Sequence, residues 1–519
     1  MSLPLLRNQP LVRAPPATKI RLAFLGTALA DALGAPAEFQ ARFSFDFIEK
    51  LEPNDNFGLP AGVWTDDTSM ALGLARAIAG AGPASAAGEK TDGAEQSQHE
   101  DADGFSEAAQ LDAYFRWWTE GVLSATGACF DIGNTIQRAL SYYRNALREA
   151  GAGTGSKKGK DNKKGEQQAD ADDEEERKKK AATTALAHIQ RDLAKPVFGG
   201  NGSLMRVLPV GLAYFADPAT ADAYARRSGA VTHPNAVCVE ACGAWAAAVA
   251  RIVSVAWEEG KEDGGSPMRT KVDVLHHFAA YPWRTAVLRD ALAGDAPYAG
   301  AAGDAAAMEA HYEAHHPLLR LRGAHAPPED SGEGEETAAS LRARLPPASA
   351  LPSSGYVVHT LAAALYAFLG TRTFAGGAAL CANMGDDADT VGAVYGGLAG
   401  CWYAREEGAS AHGEGQGEDG LFWGARVREW RVELVRRELV EEVAEELVAF
   451  VERRGVVRPF QGHNEPLQPN SETKFQARFG MENVNAIHSF EGVHNFSSVQ
   501  SIAKKFCVLS ELTPASVDT

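Results

Sequence analysis

Apolar residues recur at helical spacing in seven stretches of the chain: 70–81, 108–118, 132–148, 235–255, 357–369, 391–403 and 427–453. Alanine and leucine dominate them, and the strict alternation that marks a half-buried strand is scarce. The pattern predicts an all-α protein. The last stretch places Glu429, Glu433 and Arg437 four apart with apolar positions between them, as on an amphipathic surface helix. An apolar run at 22–37 is broken by Asp31 and Pro36, and is too short and too polar to span a bilayer.

Four segments interrupt the helical pattern: 82–104, 150–180, 295–350 and 406–420. They are rich in Gly, Ala, Ser, Pro or runs of charge. None offers enough apolar surface to offset the entropy of ordering it, so they read as long disordered insertions in one compact helical domain. That domain covers 20–455. Residues 1–19 read as a flexible N-terminus, and 456–519 as a polar tail with no assigned role. His311, His315 and His316 have metal-like spacing but fall inside an insertion and read as a solvated patch. The glycines before Lys157 and Lys158 lack both the spacing and the preceding strand of a phosphate-binding loop.

Composition narrows the class. The chain has 519 residues, 45% hydrophobic and 23% charged, as in a soluble globular protein. A net charge of −18 argues against nucleic acid or an anionic membrane as partner, since both select basic surfaces. Six cysteines form no C-x-x-C pair. Cys238 and Cys242 share one helix face and read as small buried apolar residues, which fits a reducing compartment. The first thirty residues carry Arg7, Arg13, Lys19 and Arg21 and no acid, a faint likeness to a transit peptide. A cytoplasmic monomer is the expectation.

Two acidic clusters carry the chemistry. One is Trp64-Thr65-Asp66-Asp67-Thr68, the other Gly385-Asp386-Asp387-Ala388-Asp389-Thr390. Each runs into an apolar helical segment. Carboxylates and hydroxyls are the hard oxygen ligands that Mg²⁺ and Mn²⁺ prefer, so two such half-sites would make one two-metal centre. Helix capping alone would need fewer acids, although Thr65 or Asp66 suits the cap of a helix beginning near Ser69. Inside a helix, positions i and i+2 point far apart; Asp387 and Asp389 can converge from a turn at a helix start.

Other candidates are weaker. Gly200-Asn201-Gly202-Ser203 would let backbone N–H groups face a phosphate, aided by a helix from Leu204 and by the charge of Arg206. His233 precedes a long helix, as a cap, a packing residue or a ligand contact. Glu38, after a helix break and beside Phe39, suits a general base or a metal neighbour. A polar loop, 124–135, contains Asp131.

These pieces stand in the order GTALADALGAPAEF, GVWTDDTSMAL, SATGACFDIGNT, GNGSLMRVLPVGL, VTHP, GYVVHTLAAALYAFL and NMGDDADTVGAVYGGLAG. Together the chain resembles the ADP-ribosylglycohydrolase family over Gly26 to about Tyr403. The resemblance implies an all-α fold with two Mg²⁺ or Mn²⁺ ions, and hydrolysis of the N- or O-glycosidic bond joining ADP-ribose to a protein side chain or a small conjugate. It implies that Thr65, Asp66 and Asp67 supply one ligand group, and Asp387, Asp389 and Thr390 the other. Asp66 and Asp67 would also serve catalysis, with Glu38 as the catalytic or gating residue. Gly200, Asn201, Gly202 and Ser203 would hold the pyrophosphate, His233 would lie near the ligand, and Asp131 would face the leaving group. Asp386 stands where relatives have glycine and is expected outside the ligand set; Ala30 and His359 also depart from the family pattern. Two other readings compete. A haloacid-dehalogenase-type phosphohydrolase would fit Asp387-x-Asp389 only at the end of a buried strand, and 381–385 makes a poor one. A non-catalytic ADP-ribose reader would not need every acid.

Overall fold

The structure, a computed structural model, describes residues 5–80, 104–152, 165–255, 268–301, 303–326, 336–407 and 421–455. Eighteen α-helices lie among them. In order they are α1 (Pro16–Gly34), α2 (Asp66–Ala79), α3 (Glu107–Glu120), α4 (Asn134–Ala152), α5 (Gly165–Leu193), α6 (Leu208–Ala213), α7 (Pro218–Ala230), α8 (Ala236–Ser254) and α9 (Lys271–Ala279). There follow α10 (Ala286–Leu292), α11 (Ala305–His315), α12 (Pro317–Ala324), α13 (Ala338–Ala343), α14 (Val357–Gly370), α15 (Phe374–Ala382), α16 (Ala388–Trp402), α17 (Ala425–Glu433) and α18 (Arg437–Arg453). Extended pairing among the described residues is limited to isolated bridges, such as Gly200 with Tyr356. The all-α expectation holds.

Helix α1 is the axis of the fold. It is buried on nearly every side, from Thr18 to Gly34 apart from Arg21. A helix apolar all round has no amphipathic stripe, which is why its sequence shows no helical period. Helices α1 and α8 are long and apolar enough to cross a bilayer by length and composition alone, but α1 is 94% and α8 78% buried inside the molecule.

The most extensive helix pair is α1 with α16. They run antiparallel at very short range because glycines line the seam. A Cβ added at Gly26 would sit 2.6 Å from the Gly396 carbonyl oxygen, and one at Gly392 would sit 2.4 Å from that of Ala30. One at Gly400 would meet the Leu22 oxygen at 2.3 Å, and one at Gly34 the Asp389 nitrogen at 2.6 Å. This register brings the C-terminal turn of α1, with Asp31, against the first turn of α16, with Asp389 and Thr390.

The structure departs from the sequence expectation in several places. Residues 5–19 are packed. Leu6 is fully buried, Leu11 N–H donates to the Arg269 carbonyl at 2.9 Å, and Arg7 pairs with Glu309 at 3.0 Å. Lys19 is buried and donates to the Ile252 carbonyl at 2.7 Å. Segment 295–350 contains α11, α12 and α13, whose small apolar faces (Met308, Tyr312, Leu318, Leu341) are hidden among Ala, Gly and Pro. His316 is therefore not in a solvated patch. Its Nε2 is 2.8 Å from the Leu292 carbonyl, while His311 is half-buried with its Nε2 2.9 Å from the Ala296 carbonyl, and His315 is exposed. Part of 150–180 lies in α4 and α5. The predicted helix at 427–453 is two helices, broken where Arg436 takes a left-handed φ of 51°. There Val435 N–H donates to the Gly62 carbonyl (2.9 Å) and Trp64 Nε1 to the Val435 carbonyl (2.8 Å), so docking on residues 62–64 replaces helical bonding. Glu433 and Arg437 consequently belong to different helices. Most of 82–104 and 406–420, Lys157 and Lys158, and the tail 456–519 lie outside the described residues.

Candidate active site

Three helix ends meet. Asp31 comes from the last turn of α1, Thr65 to Thr68 from the start of α2, and Asp387 to Thr390 from the start of α16. The Asp31 carboxylate accepts from Thr65 N–H (2.9 Å), Thr68 N–H (3.1 Å) and the Thr68 hydroxyl (2.5 Å). It thus caps α2 from a distance of 34 positions in sequence. Thr65 occupies the N-cap position but its side chain makes no capping bond, and the helix begins at Asp66, three residues before the expected start.

Two sets of three carboxylates each bring one oxygen per residue within 4.8 Å of one another: Asp31, Asp67 and Asp389, and Glu38, Asp131 and Asp389. Asp389 belongs to both. Asp67 Oδ1, Asp389 Oδ1 and Glu38 Oε2 are buried without any hydrogen-bond donor. The Thr65 hydroxyl lies 3.0 Å from Asp31 Oδ1 and 3.0 Å from Asp67 Oδ2, but has one proton for two acceptors. The Thr390 hydroxyl is 3.3 Å from Asp67 Oδ2. Oxygens orphaned in this way need a proton or a cation. Burial, followed by mutual repulsion, pushes Asp67 and Asp389 well above the usual carboxylate range. Burial likewise raises Glu38 and Asp66, with Asp131 the leading charged neighbour of each. Asp31 is pushed up to about 6 by burial, against bonds from Thr68 and Thr65 that favour its charge. A donor set of carboxylates and threonine hydroxyls, with no histidine or thiol, fits a hard cation.

Asp66 and Asp387 join neither set of three. Asp66 is buried beside the cluster. Asp387 is half-buried at the N-cap of α16, and its Oδ2 accepts from Asn201 Nδ2 at 2.9 Å. Asp386 is exposed, as expected of a residue outside the ligand set; its backbone exchanges bonds with Phe39 and Gln40. Asp31 itself was missed as a site residue, since only its break in an apolar run is visible in the sequence. An acid inside an otherwise apolar, buried helix is a signal in its own right, because such a charge must be paired or bound.

The remaining candidates form the walls. Asp131 sits in left-handed backbone (φ 57°), close to Glu38. Asn201 is committed: its N–H donates to the Gly355 carbonyl and its amide to Thr360 Oγ1 (2.8 Å) as well as Asp387. Ser203 is fully buried, its hydroxyl 3.4 Å from Cys242 Sγ. Gly202 has no room for a side chain, as a Cβ would meet His233 Cε1 at 2.9 Å. The next helix, α6, starts at Leu208 rather than Leu204. Arg206 does not face a ligand. It is fully buried and donates to Gly202 O (3.0 Å), Tyr114 Oη (2.8 Å) and Thr232 Oγ1 (2.6 Å). Thr232 Oγ1, accepting from Arg206, lies 2.8 Å from His233 Nδ1. Burial and the nearby Arg206 lower His233 to about 3, so it is neutral, with its Nε2 beside Gly200 and Gly202.

An all-α fold whose helix ends gather buried carboxylates and threonine hydroxyls defines a protein with a centre suited to a hard cation. A family model described as ADP-ribosylglycohydrolase matches residues 13–455, and the chain belongs to that family. It is therefore a hydrolase of glycosidic ADP-ribose linkages. It is 26% identical to ADP-ribosylarginine hydrolase Tri1 of Pseudomonas putida over 395 residues, 73% of this chain and 69% of that one. It is 23% identical to ADP-ribosyl-[dinitrogen reductase] glycohydrolase of Rhodospirillum rubrum over 389 residues, 74% of this chain and 85% of that one. A solved structure titled ADP-ribosylglycohydrolase-related protein complex aligns at 25% identity with a TM-score of 0.49, covering 84% of this chain and 99% of that one. The haloacid-dehalogenase reading falls, because 374–382 is helix α15 and no strand among the described residues leads into Asp387.

Proposed function

We propose that the protein hydrolyses the N-glycosidic bond between ADP-ribose and an arginine side chain, using two divalent cations, Mg²⁺ or Mn²⁺. The observation that carries the cation reading is the pair of carboxylate trios sharing Asp389, with three orphaned oxygens among them. The arginine reading is supported by the named relative whose substrate is ADP-ribosylarginine. Asp31, Thr65, Asp67, Asp389 and Thr390 would hold one cation; Glu38, Asp131 and Asp389 would face the other, with Asp66 and Asp387 beside them. Cations held there would supply a grip on the ribose hydroxyls and polarise a water near the anomeric carbon.

The chain's own residues do the rest. Glu38, buried and close to Asp131 and Asp389, stands where a carboxylate can exchange a proton with the attacking water or the leaving nitrogen. The imidazole of neutral His233, its Nε2 beside the Gly200–Gly202 backbone, offers a polar edge to the ligand. Asn201 orients Asp387. Replacing Asn201 by leucine should therefore weaken cation affinity about 10- to 100-fold, read by calorimetric titration, as loss of a residue that orients a ligand usually does.

The test is ADP-ribose release from ADP-ribosyl-arginine, ADP-ribosyl-serine and O-acetyl-ADP-ribose, with Mg²⁺, with Mn²⁺ and with EDTA. Release from the arginine conjugate, abolished by EDTA and restored by either metal, is expected. Release that survives exhaustive chelation would remove the cation reading. Tight ADP-ribose binding without turnover would mark a reader.

A further inference from the structure

We propose that Phe39, Phe57 and Phe130 form the docking face for the acceptor and recognise the guanidinium of arginine, an inference that rests on the arginine reading above. Phe39 directly follows Glu38, and Phe130 directly precedes Asp131, the two acids that converge with Asp389. Phe57 joins them: its ring centroid is 6.4 Å from that of Phe39 and 5.7 Å from that of Phe130. The loop carrying Phe57 is also tied to the same acid, since Asn56 Nδ2 donates to the Glu38 carbonyl at 2.9 Å. Three loops distant in sequence thus present one aromatic cluster at the edge of the Glu38–Asp131 pair.

Core packing accounts for Phe130, which lies against the core, but not for Phe39. Phe39 is 65% exposed, and its backbone is left-handed at φ 63°, a conformation unfavourable for a bulky residue. It is held there by its N–H to the Asp386 carbonyl at 2.7 Å, next to the acidic cluster of α16. An exposed phenylalanine in a strained backbone, beside reacting groups, points to a ligand contact. The ligand chemistry follows from the surroundings. Exposed π faces favour a flat, weakly hydrated cation, which is what a guanidinium is. A serine hydroxyl or an acetyl ester gains nothing comparable there. The Gly200–Ser203 loop, by contrast, is tied through Asn201 to Asp387. The phosphate-facing backbone and the aromatic face thereby attend to different parts of the substrate.

The experiment uses the full chain with saturating Mg²⁺. Wild type is assayed first on an ADP-ribosyl-arginine peptide and an ADP-ribosyl-serine peptide, and the inhibition constant of free ADP-ribose is measured. For Phe39→Ala we expect KM for the arginine peptide to rise about tenfold, the scale of a lost cation–π contact, with kcat nearly retained. The free ADP-ribose constant should move far less, and Phe39→Trp should restore KM. Phe57→Ala, whose backbone is not strained, should shift KM the same way. If both alanine variants leave the arginine KM alone, the docking face is wrong while the arginine reading stands. A parallel rise for free ADP-ribose would assign the rings to the nucleotide and likewise overturn the proposal. If wild type cleaves the serine but not the arginine conjugate, the arginine reading itself fails, and this inference with it.

Discussion

Replacing Asp389 by asparagine should abolish turnover and, in the same variant, raise the stability of the metal-free protein. Asp389 is the one carboxylate common to both trios, and its Oδ1 is buried with no donor. Asparagine keeps the size but removes the charge. Loss of a ligand shared by both cations should lower kcat/KM by at least about a thousandfold, or about 4 kcal/mol of transition-state stabilisation. Without metal, the wild-type centre buries several acids that repel one another. Removing one charge should stabilise the chelated protein by about 1–3 kcal/mol, the cost typical of an unsatisfied buried polar group. Adding Mg²⁺ at a hundred times Kd should stabilise wild type by about 2.7 kcal/mol and the variant by much less. Denaturant titration with EDTA and with Mg²⁺ reads both effects. A chelated variant less stable than wild type, still stabilised fully by Mg²⁺, would show that Asp389 does not serve a cation.

Gly396→Val should be the most damaging single change in the scaffold. A Cβ there would stand 2.2 Å from the Gly26 carbonyl oxygen, a contact with backbone that no rotamer can relieve. The two helices would have to separate, at a cost of about 3 kcal/mol, the upper end for overpacking. The separation also pulls Asp31 from Asp389, so the stabilisation by Mg²⁺ should fall with the midpoint of unfolding. Gly323→Ala is the control. That helical glycine has no atom within 4 Å of an added Cβ, and alanine there should be neutral or add about 0.5–1 kcal/mol. Equal midpoints for the two variants would mean that the α1–α16 seam does not set the centre's geometry.

The all-α class was legible because most surface helices, such as α3 and α4, keep an apolar stripe at helical spacing. The acidic clusters at 65–68 and 387–390 were legible for another reason. Each holds more acid than a helix start needs, and hard-cation chemistry draws on few residue types. Helix α1 was not legible, since a helix buried all round has no stripe. The small helices of 295–350 were not either, because alanine-rich composition hides their few large apolar anchors.

What the sequence determined by itself was the choice of chemistry: oxygen donors, a helical frame to carry them, and glycines spaced where chain must approach chain. Tertiary structure alone decided which oxygens meet. Asp31 reaches α2 across 34 residues and Asp67 meets Asp389 across more than three hundred, because the α1–α16 glycine seam fixes their distance. It also withdrew Arg206, which the sequence offered to the ligand, into a buried bonding chain through Thr232 to His233. Ligand type is a property of single side chains; convergence and protonation depend on what long-range packing places within a few ångströms.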